Sequence, residues 1–326
     1  MSPTFADVRA AARRLEGITI RTPLLENARV NDRLGGRLFI KAECLQRTGS
    51  FKLRGAYNFL ASMSEADRKK GVVGWSSGNH AQGLAEAARL MKMKATIVMP
   101  ADAPALKVAN TRTSGAEIVL YDRVKESREE IGTGIAKKTG ATIVPPYYHP
   151  WILTGQGTAG LEIVEQAKAL GVTLYAVAAP CSGGGLSTGI ALAVKGLSPK
   201  TSVHAGEPAG FDDLARSLKS GKKEKNARLS GSICDALLAP EPGDVTFPIA
   251  RQLLGPGLVV TDDEVLDAME TAFREFKLVV EPGGAVALAA ALAGKLPGKG
   301  RAVAVVCSGG NVDHETFTRA LARRPT

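Results

Sequence analysis

The sequence predicts an α/β protein made of two open, twisted, mostly parallel sheets, each flanked by helices. Three observations lead there. Short apolar runs alternate with helical segments through most of the chain, and strands separated by helices pair in parallel through right-handed crossovers. The 326 residues exceed the ~100–200 that usually share one core. A break at Pro145-Pro146-Tyr147-Tyr148-His149-Pro150 divides the alternation in two. The expected division is a small α/β domain over residues 62–148 inserted into a larger, discontinuous one formed by residues 1–61 and 149–326.

The elements follow in order. Residues 1–16 place Asp7, Arg9, Arg13, Arg14 and Glu16 on a helical pattern without an apolar signal core, so an ordinary helix opens the chain from Met1. Thr22-Pro23-Leu24 is a turn, and residues 35–41 carry a short strand. A helix runs from Lys52 to about Met63, and Ser64-Glu65-Ala66-Asp67 starts another. Strands over 71–75, 95–100, 117–121 and 141–144 then alternate with helices over 79–90, 105–113 and 127–139. Beyond the proline-rich break the spacing predicts helices over 157–170 and 186–195 and strands over 174–179 and 202–206. Helices over 244–253, 262–276 and 283–293, with strands over 257–260 and 301–307, complete the pattern.

Composition narrows the function classes. A formal net charge of +10 would permit nucleic-acid binding, but the basic residues are dispersed and aromatics make up only 5%, so neither an arginine stripe nor a stacking platform forms. The run from Lys219 to Lys225 reads as a solvated loop. No apolar run reaches the ~18–20 residues of a membrane span. Cys44, Cys181, Cys234 and Cys307 lie far apart, as reduced thiols do, and the four histidines keep no metal-ligand spacing. The expectation is a cytoplasmic protein whose partner is a small molecule, with neither nucleic acid nor membrane involved.

Five stretches carry chemistry. Thr48-Gly49-Ser50-Phe51-Lys52-Leu53-Arg54-Gly55-Ala56 sets a lysine between an aromatic and an apolar residue at a helix start. Partial burial and the positive end of a helix dipole both disfavour the ammonium, leaving Lys52 an amine able to attack a carbonyl; alone, the stretch is equally a surface lysine at a helix end. Ser76-Ser77-Gly78-Asn79-His80-Ala81-Gln82-Gly83 is a strand-to-helix loop whose N–H groups suit a carboxylate, unless Ser77 or Asn79 simply caps the helix. Pro180-Cys181-Ser182-Gly183-Gly184-Gly185-Leu186-Ser187-Thr188-Gly189 puts three glycines before a helix, so that several N–H groups can converge on a phosphate; a tight structural turn is the alternative. It matches neither a Walker loop nor the spaced dinucleotide fingerprint. Cys307-Ser308-Gly309-Gly310-Asn311-Val312-Asp313 follows a strand, at the edge where open α/β sheets bind ligands. Glu207-Pro208-Ala209-Gly210-Phe211-Asp212-Asp213 offers the oxygen donors a hard cation takes, or is a solvated acidic loop.

A reactive lysine, a phosphate cradle and two polar strand-end loops make up the inventory pyridoxal phosphate requires. In order and wording, from about Ile18 to Asp313, these motifs resemble the fold type II pyridoxal-phosphate enzymes, with their tryptophan synthase β-like fold, and specifically the serine racemase and threonine (serine) dehydratase branch. The resemblance makes the large domain the cofactor-binding one and the small domain mobile. It implies that Lys52 bonds the cofactor, Phe51 lies against it and Asn79 bonds its ring hydroxyl. Ser182, Gly183, Gly184, Gly185 and Leu186 would hold the phosphate, and Ser308 would meet the pyridine nitrogen. Ser182 departs from the fourth glycine of many relatives. Substrate would lie against Ser76, Ser77, Gly78, Asn79 and His80, and against Arg128, which resembles an arginine facing substrate in serine racemase but is also readable as an exposed helical arginine. Ser77 stands where racemases place a serine opposite the lysine, so it joins Lys52 as a catalytic candidate. Glu207, the Phe211 carbonyl and Asp213 would bind Mg²⁺ or Ca²⁺. Glu281-Pro282-Gly283-Gly284 also matches the family as a helix start lining the site, and a homodimer would suit it.

The implied reaction is β-elimination of water from a β-hydroxy-L-amino acid such as L-threonine or L-serine, giving a 2-oxo acid and ammonia. Lys52 would remove the α-proton, and a hydroxyl at Ser308 stabilises a pyridinium less than a carboxylate does, which favours elimination over transamination. Serine racemisation and dehydration of phenylserine or 3-hydroxyaspartate are the alternatives. Tyr147, Tyr148 and Trp151 either pack a hinge or widen the substrate pocket. The chain ends shortly after Asp313, leaving no room for the regulatory domain of biosynthetic threonine dehydratases. From another class, a non-catalytic protein binding a phosphate ligand or nucleic acid would be colourless and would keep its function without Lys52.

Overall fold

The computed structural model describes residues 2–103 and 105–323, so Met1, placed in the expected first helix, lies outside the described residues. The strands are β1 (Leu24–Glu26), β2 (Arg37–Ala42), β3 (Val72–Trp75), β4 (Ala95–Pro100), β5 (Glu117–Tyr121), β6 (Thr142–Ile143), β7 (Ala176–Pro180), β8 (Ser202–Pro208), β9 (Leu258–Val260) and β10 (Ala302–Cys307). Among the described residues they form two sheets, ordered β1-β2-β10-β7-β8-β9 and β5-β4-β3-β6. Their pairings are parallel apart from β1 with β2. The helices are α1 (Phe5–Leu15), α2 (Ala28–Leu34), α3 (Lys52–Ser62), α4 (Glu65–Lys70), α5 (Asn79–Leu90), α6 (Ala105–Thr113), α7 (Arg128–Thr139), α8 (Pro150–Ala169), α9 (Gly185–Leu197), α10 (Asp213–Ser220), α11 (Thr246–Leu253), α12 (Asp262–Phe276), α13 (Pro282–Leu292) and α14 (His314–Leu321).

The larger sheet reads as apolar runs because helices cover both of its faces. Ala176, Val177, Ala178 and Ala179 of β7 are all fully buried, and α13 is apolar all round because it too is enclosed. Thr4 with Asp7 and Thr261 with Glu264 form capping boxes that fix the starts of α1 and α12.

Several local expectations are corrected. α8 begins at Pro150, inside the break, because a proline in the first helical turn loses no hydrogen bond there and His149 caps the helix through Nδ1, which accepts from Trp151 N. The acidic stretch ending at Asp213 continues into α10, and α2 and α14 form where no helix is expected, each behind an asparagine or aspartate cap. Leu24, expected in a turn, begins the edge strand β1.

Glycines on α8 position the site. A Cβ on Gly155 would fall 2.4 Å from Arg54 O of α3, and one on Gly157 would fall 2.5 Å from Gly189 O of α9. These contacts let α8 lie directly against both the helix that Lys52 starts and the helix that the glycine-rich loop starts. No side chain fits between them.

Candidate functional site

A cavity of about 280 Å³ opens between the carboxyl ends of the two sheets, where the loops after β3, β7 and β10 converge. Its walls include Phe51, Lys52, Ser76, Ser77, Gly78, Asn79, His80, Arg128, Ser182, Gly183, Gly184, Gly185, Leu186 and Ser308. Residues spread over more than two hundred positions are thus brought together by parallel strands that all deliver their loops to one edge.

Lys52 is the first residue of α3, and its Nζ donates to the Pro146 carbonyl at 3.1 Å. Burial lowers its pKa to about 8, with Glu281 pulling the other way, so the free amine is far more accessible near neutral pH than that of an exposed lysine, although the ammonium still dominates there. His80 is pushed down to about 3, by burial first and by Lys52 second. Its Nε2 lies 3.1 Å from the Val144 carbonyl, which can only accept, so Nε2 carries the proton of a neutral ring. A neutral imidazole adds no second positive charge beside Lys52.

The glycine-rich loop is held open as a cradle. Gly183 gives its carbonyl to Thr246 Oγ1 at 2.6 Å, and Gly184, at φ +92°, starts α9. The backbone N–H groups of Gly183, Gly185 and Leu186 make no hydrogen bond among the described residues, while that of Gly184 faces Cys181 Sγ. Free donors at a helix start attract an anion. A Cβ on Gly183 would come within 2.0 Å of the Tyr147 ring, so only glycine lets that ring lie over the loop. The Ser182 hydroxyl accepts from Ala239 N at 3.2 Å, which ties down the cavity's outer rim. Ser308 has the carbonyl that receives Phe51 N at 3.1 Å, and its hydroxyl makes no hydrogen bond among the described residues.

On the other wall, Ser76 Oγ accepts from Gly78 N, and Ser77 stands beside it. Arg128 starts α7, half exposed and paired with Glu129 at 2.8 Å, and it lines both the cavity and a small side recess shared with Ser76, Ser77, Tyr121 and Arg123. The three aromatics separate. Tyr147 lines the cavity with its edge toward Tyr148, whereas Trp151 packs against Phe59 and His149 at the start of α8.

The acidic stretch lies apart from the cavity. Both Glu207 oxygens accept backbone N–H groups, from Leu214 at 3.0 Å and Ala215 at 2.8 Å, and burial together with Asp213 raises its pKa well above the usual range. Asp213 Oδ1 accepts from Asn226, Oδ2 is buried without a partner among the described residues, and burial raises this carboxyl to about 6. Phe211 is fully buried beside them. Among the described residues no three His, Cys, Asp or Glu side chains cluster as a metal cage.

Several site residues were not assigned a role from sequence. Gln156 of α8 lines the cavity, with its buried Oε1 lacking a partner among the described residues and a Cβ on Gly185 falling 2.8 Å from it. Glu281 precedes α13 at its N-terminus, bonds Asn79 and is raised to about 7 by burial and by Asp235. Asn311 bonds the other end of Asn79. No helix among the described residues is long and apolar enough to cross a membrane.

Comparison with known proteins places these features. A family model described as pyridoxal-phosphate dependent enzyme matches residues 15–308. An L-threo-3-hydroxyaspartate ammonia-lyase from Pseudomonas sp is 44% identical over 98% of each chain. An L-threonine ammonia-lyase from Thermotoga maritima is 39% identical over 98% of this chain and 78% of its own. Among solved structures, maize serine racemase superposes with a TM-score of 0.91 at 36% identity, covering 98% of this chain and 97% of its own.

Proposed function

The chain belongs to the pyridoxal-phosphate dependent enzymes, within the ammonia-lyase and serine racemase family, and on that premise we propose that it is an ammonia-lyase whose preferred substrate is L-threo-3-hydroxyaspartate. The observation that carries the substrate choice is Arg128, a cation on the wall that also holds Ser76 and Ser77, where a second substrate carboxylate can be met. Threonine or serine, the first expectation from sequence, offers that arginine nothing to pair with.

The cavity fits the cofactor: a depressed-pKa amine for its aldehyde, unbonded N–H groups for its phosphate and a free hydroxyl at Ser308 for its ring nitrogen. When bound, it supplies an electron sink that acidifies the α-C–H of an attached amino acid. The protein's part falls to named groups. Lys52 Nζ would hold the cofactor and, as a free amine, would take the α-proton; Ser77 is assigned proton exchange from the opposite side. Gly183, Gly184, Gly185 and Leu186 would offer N–H groups to the phosphate, joined by Ser182 and by Gln156 once its amide turns its Nε2 inward. Phe51 is assigned the ring face and Asn79 the ring hydroxyl. Ser76, Gly78, Asn79 and His80 receive the α-carboxylate end of the substrate. Loss of the β-hydroxyl as water and hydrolysis of the product leave a 2-oxo acid and ammonia.

The test is ammonia release from L-threo-3-hydroxyaspartate, L-threonine, L-serine and phenylserine, for the wild type and Arg128→Leu. A charged hydrogen bond contributes about 1.5–3 kcal/mol, so Arg128→Leu should lower kcat/KM for hydroxyaspartate by ~10–100-fold while changing that for threonine by less than about threefold. Equal losses on both substrates, or a wild type that prefers threonine, would remove hydroxyaspartate from the proposal and leave threonine dehydration ahead. D-serine formed from L-serine would add the racemase activity.

The proposal includes a divalent cation held by Glu207, the Phe211 carbonyl and Asp213. What supports it is the buried Asp213 Oδ2, without a partner among the described residues, beside a second buried carboxyl. Mg²⁺ or Ca²⁺ at ~100 times its Kd should stabilise the protein by about 2.7 kcal/mol, seen as a rise in Tm that EDTA reverses and Asp213→Ala abolishes. A Tm indifferent to EDTA and to both cations refutes it. A cytoplasmic homodimer completes the proposal; four buried, free cysteines support that compartment.

A further inference from the structure

We propose that Asn311 and Glu281 are positioning residues that decide which way the Asn79 amide faces. The inference rests on the reading that Asn79 meets the cofactor's ring hydroxyl, and it adds how that contact is set. Asn311 Nδ2 lies 2.8 Å from the Thr48 carbonyl and 2.7 Å from the side-chain atom of Asn79 that faces it. A carbonyl can only accept, so the Asn311 atom at this junction is its NH₂. Its second N–H therefore goes to Asn79, whose facing atom has to be Oδ1. That places Asn79 Nδ2 on the other side, where it donates to Glu281 Oε1. One N–H of Nδ2 is taken by Glu281 and the other is left for the cavity. The orientation of Asn79, which its own density of neighbours would leave open, is thus fixed from a backbone carbonyl four residues before Lys52.

Two glycines make room for this chain of bonds. A Cβ on Gly309 would fall 2.0 Å from Glu281 Oε1 and 3.1 Å from Asn79 Nδ2, and one on Gly49 would fall 2.6 Å from Asn311 Oδ1. Gly309 and Gly49 therefore leave room for the polar network. The network also crosses the molecule: Asn79 starts the helix after β3 of the smaller sheet, whereas Glu281 and Asn311 flank β10 of the larger one. The groups facing Glu281 are Asp235, Lys107 and Lys52 besides Asn79, so its carboxyl can be protonated or ionised near neutral pH. Oε1 accepts from Asn79 in either state, provided a proton resides on the other oxygen.

Asn311→Asp tests the inference in the holoenzyme. The carboxylate cannot donate, so Asn79 turns its NH₂ toward position 311 and its oxygen toward Glu281, and the ring hydroxyl loses its donor. Loss of a donor disfavours the ionised hydroxyl, so the pH at which the cofactor's visible band develops should rise. We expect kcat to fall by about tenfold with KM changed by less than about threefold, and cofactor Kd, measured by fluorescence, to rise by about tenfold. Adding Glu281→Gln gives an amide that can donate to the reversed Asn79 oxygen. That double variant should recover Tm yet keep the displaced band and the raised cofactor Kd, a split that a merely structural role would not produce. Glu281→Gln alone retains an acceptor toward Asn79 and should keep the wild-type band midpoint, which serves if Asn311→Asp does not fold. The inference is overturned if Asn311→Asp keeps the wild-type band midpoint, if the double variant restores the band together with Tm, or if Glu281→Gln alone displaces it. A wild type that shows no visible band with added pyridoxal phosphate would instead overturn the cofactor reading on which this rests.

Discussion

Replacing Lys52 with alanine should abolish the visible band of the purified protein and lower ammonia release by ~10³-fold or more, since one group supplies both the covalent attachment and the proton transfer. The expectation follows from position. Lys52 Nζ is the amine at the start of α3, enclosed by the cavity and lowered to about 8, whereas an exposed lysine keeps its charge to above pH 10. Below about pH 8 the ammonium dominates and above it the free amine, so the rate at which the apoprotein develops the band should climb with pH through about 8 and level off beyond it. Lys52→Arg separates charge from nucleophilicity. The guanidinium preserves the cation but stays protonated, and it should be as inactive as alanine. Because the glycine-rich loop is untouched, both variants should still bind pyridoxal phosphate, with a spectrum of the free aldehyde. Ammonia release preserved in Lys52→Ala would sink the enzymatic reading and return a non-catalytic phosphate-binding protein to first place.

What the sequence made legible follows from how each feature is encoded. The strands are visible because burial on both faces makes them apolar runs, and the loops of the site are visible because they follow those strands within a few residues. Lys52, the glycine-rich loop and Ser308 are local signals of this kind. The start of α8 is not, because Pro150 and Gly155 look like loop residues until their helix neighbours are known. Arg128 is ambiguous in sequence for a similar reason: only the placement of α7 beside the loop after β3 turns a helical arginine toward the cavity. Glu281 and Asn311 act on Asn79 from 202 and 232 residues away, a separation at which no local pattern carries information. The buried charges were missed outright, since Lys41, Glu43 and Arg54 have the residue types of a solvated surface.

Those charges make the second large effect. Arg54, two residues after Lys52, is fully buried and bonds Glu43 through Nε at 2.7 Å and Nη2 at 2.8 Å, and Glu162 through Nη1 at 2.7 Å. Lys41, also fully buried, bonds Glu162, the Thr22 carbonyl at 2.6 Å and Gln166 at 3.0 Å. Two cations and two carboxylates make a neutral quartet joining β2, α3 and α8. Burial opposes the ionised form of Glu43, but Arg54 outweighs it and keeps the carboxyl below its usual range. Arg54→Met keeps most of the volume and leaves Glu43 without its cation, so unfolding stability should drop by about 3–5 kcal/mol at pH 7, read from urea midpoints at constant m. The sign of the pH dependence separates charge from packing. In the wild type the depressed Glu43 contributes stability above the unfolded carboxyl pKa and loses it as pH falls through the folded one; in Arg54→Met the carboxyl is raised instead, and its penalty fades on acidification. The difference between the two proteins should therefore narrow as pH falls, beginning at the raised carboxyl pKa of Arg54→Met, above the usual carboxylate range, and ending at the depressed one of the wild type. Adding Glu43→Leu to Arg54→Met removes the stranded carboxylate while Lys41 and Glu162 remain paired, and should recover most of the loss. If the double variant is no more stable than Arg54→Met, the cost lies in the shape of the α3–α8 contact and not in an uncompensated charge, and the quartet is then packing that happens to be ionised.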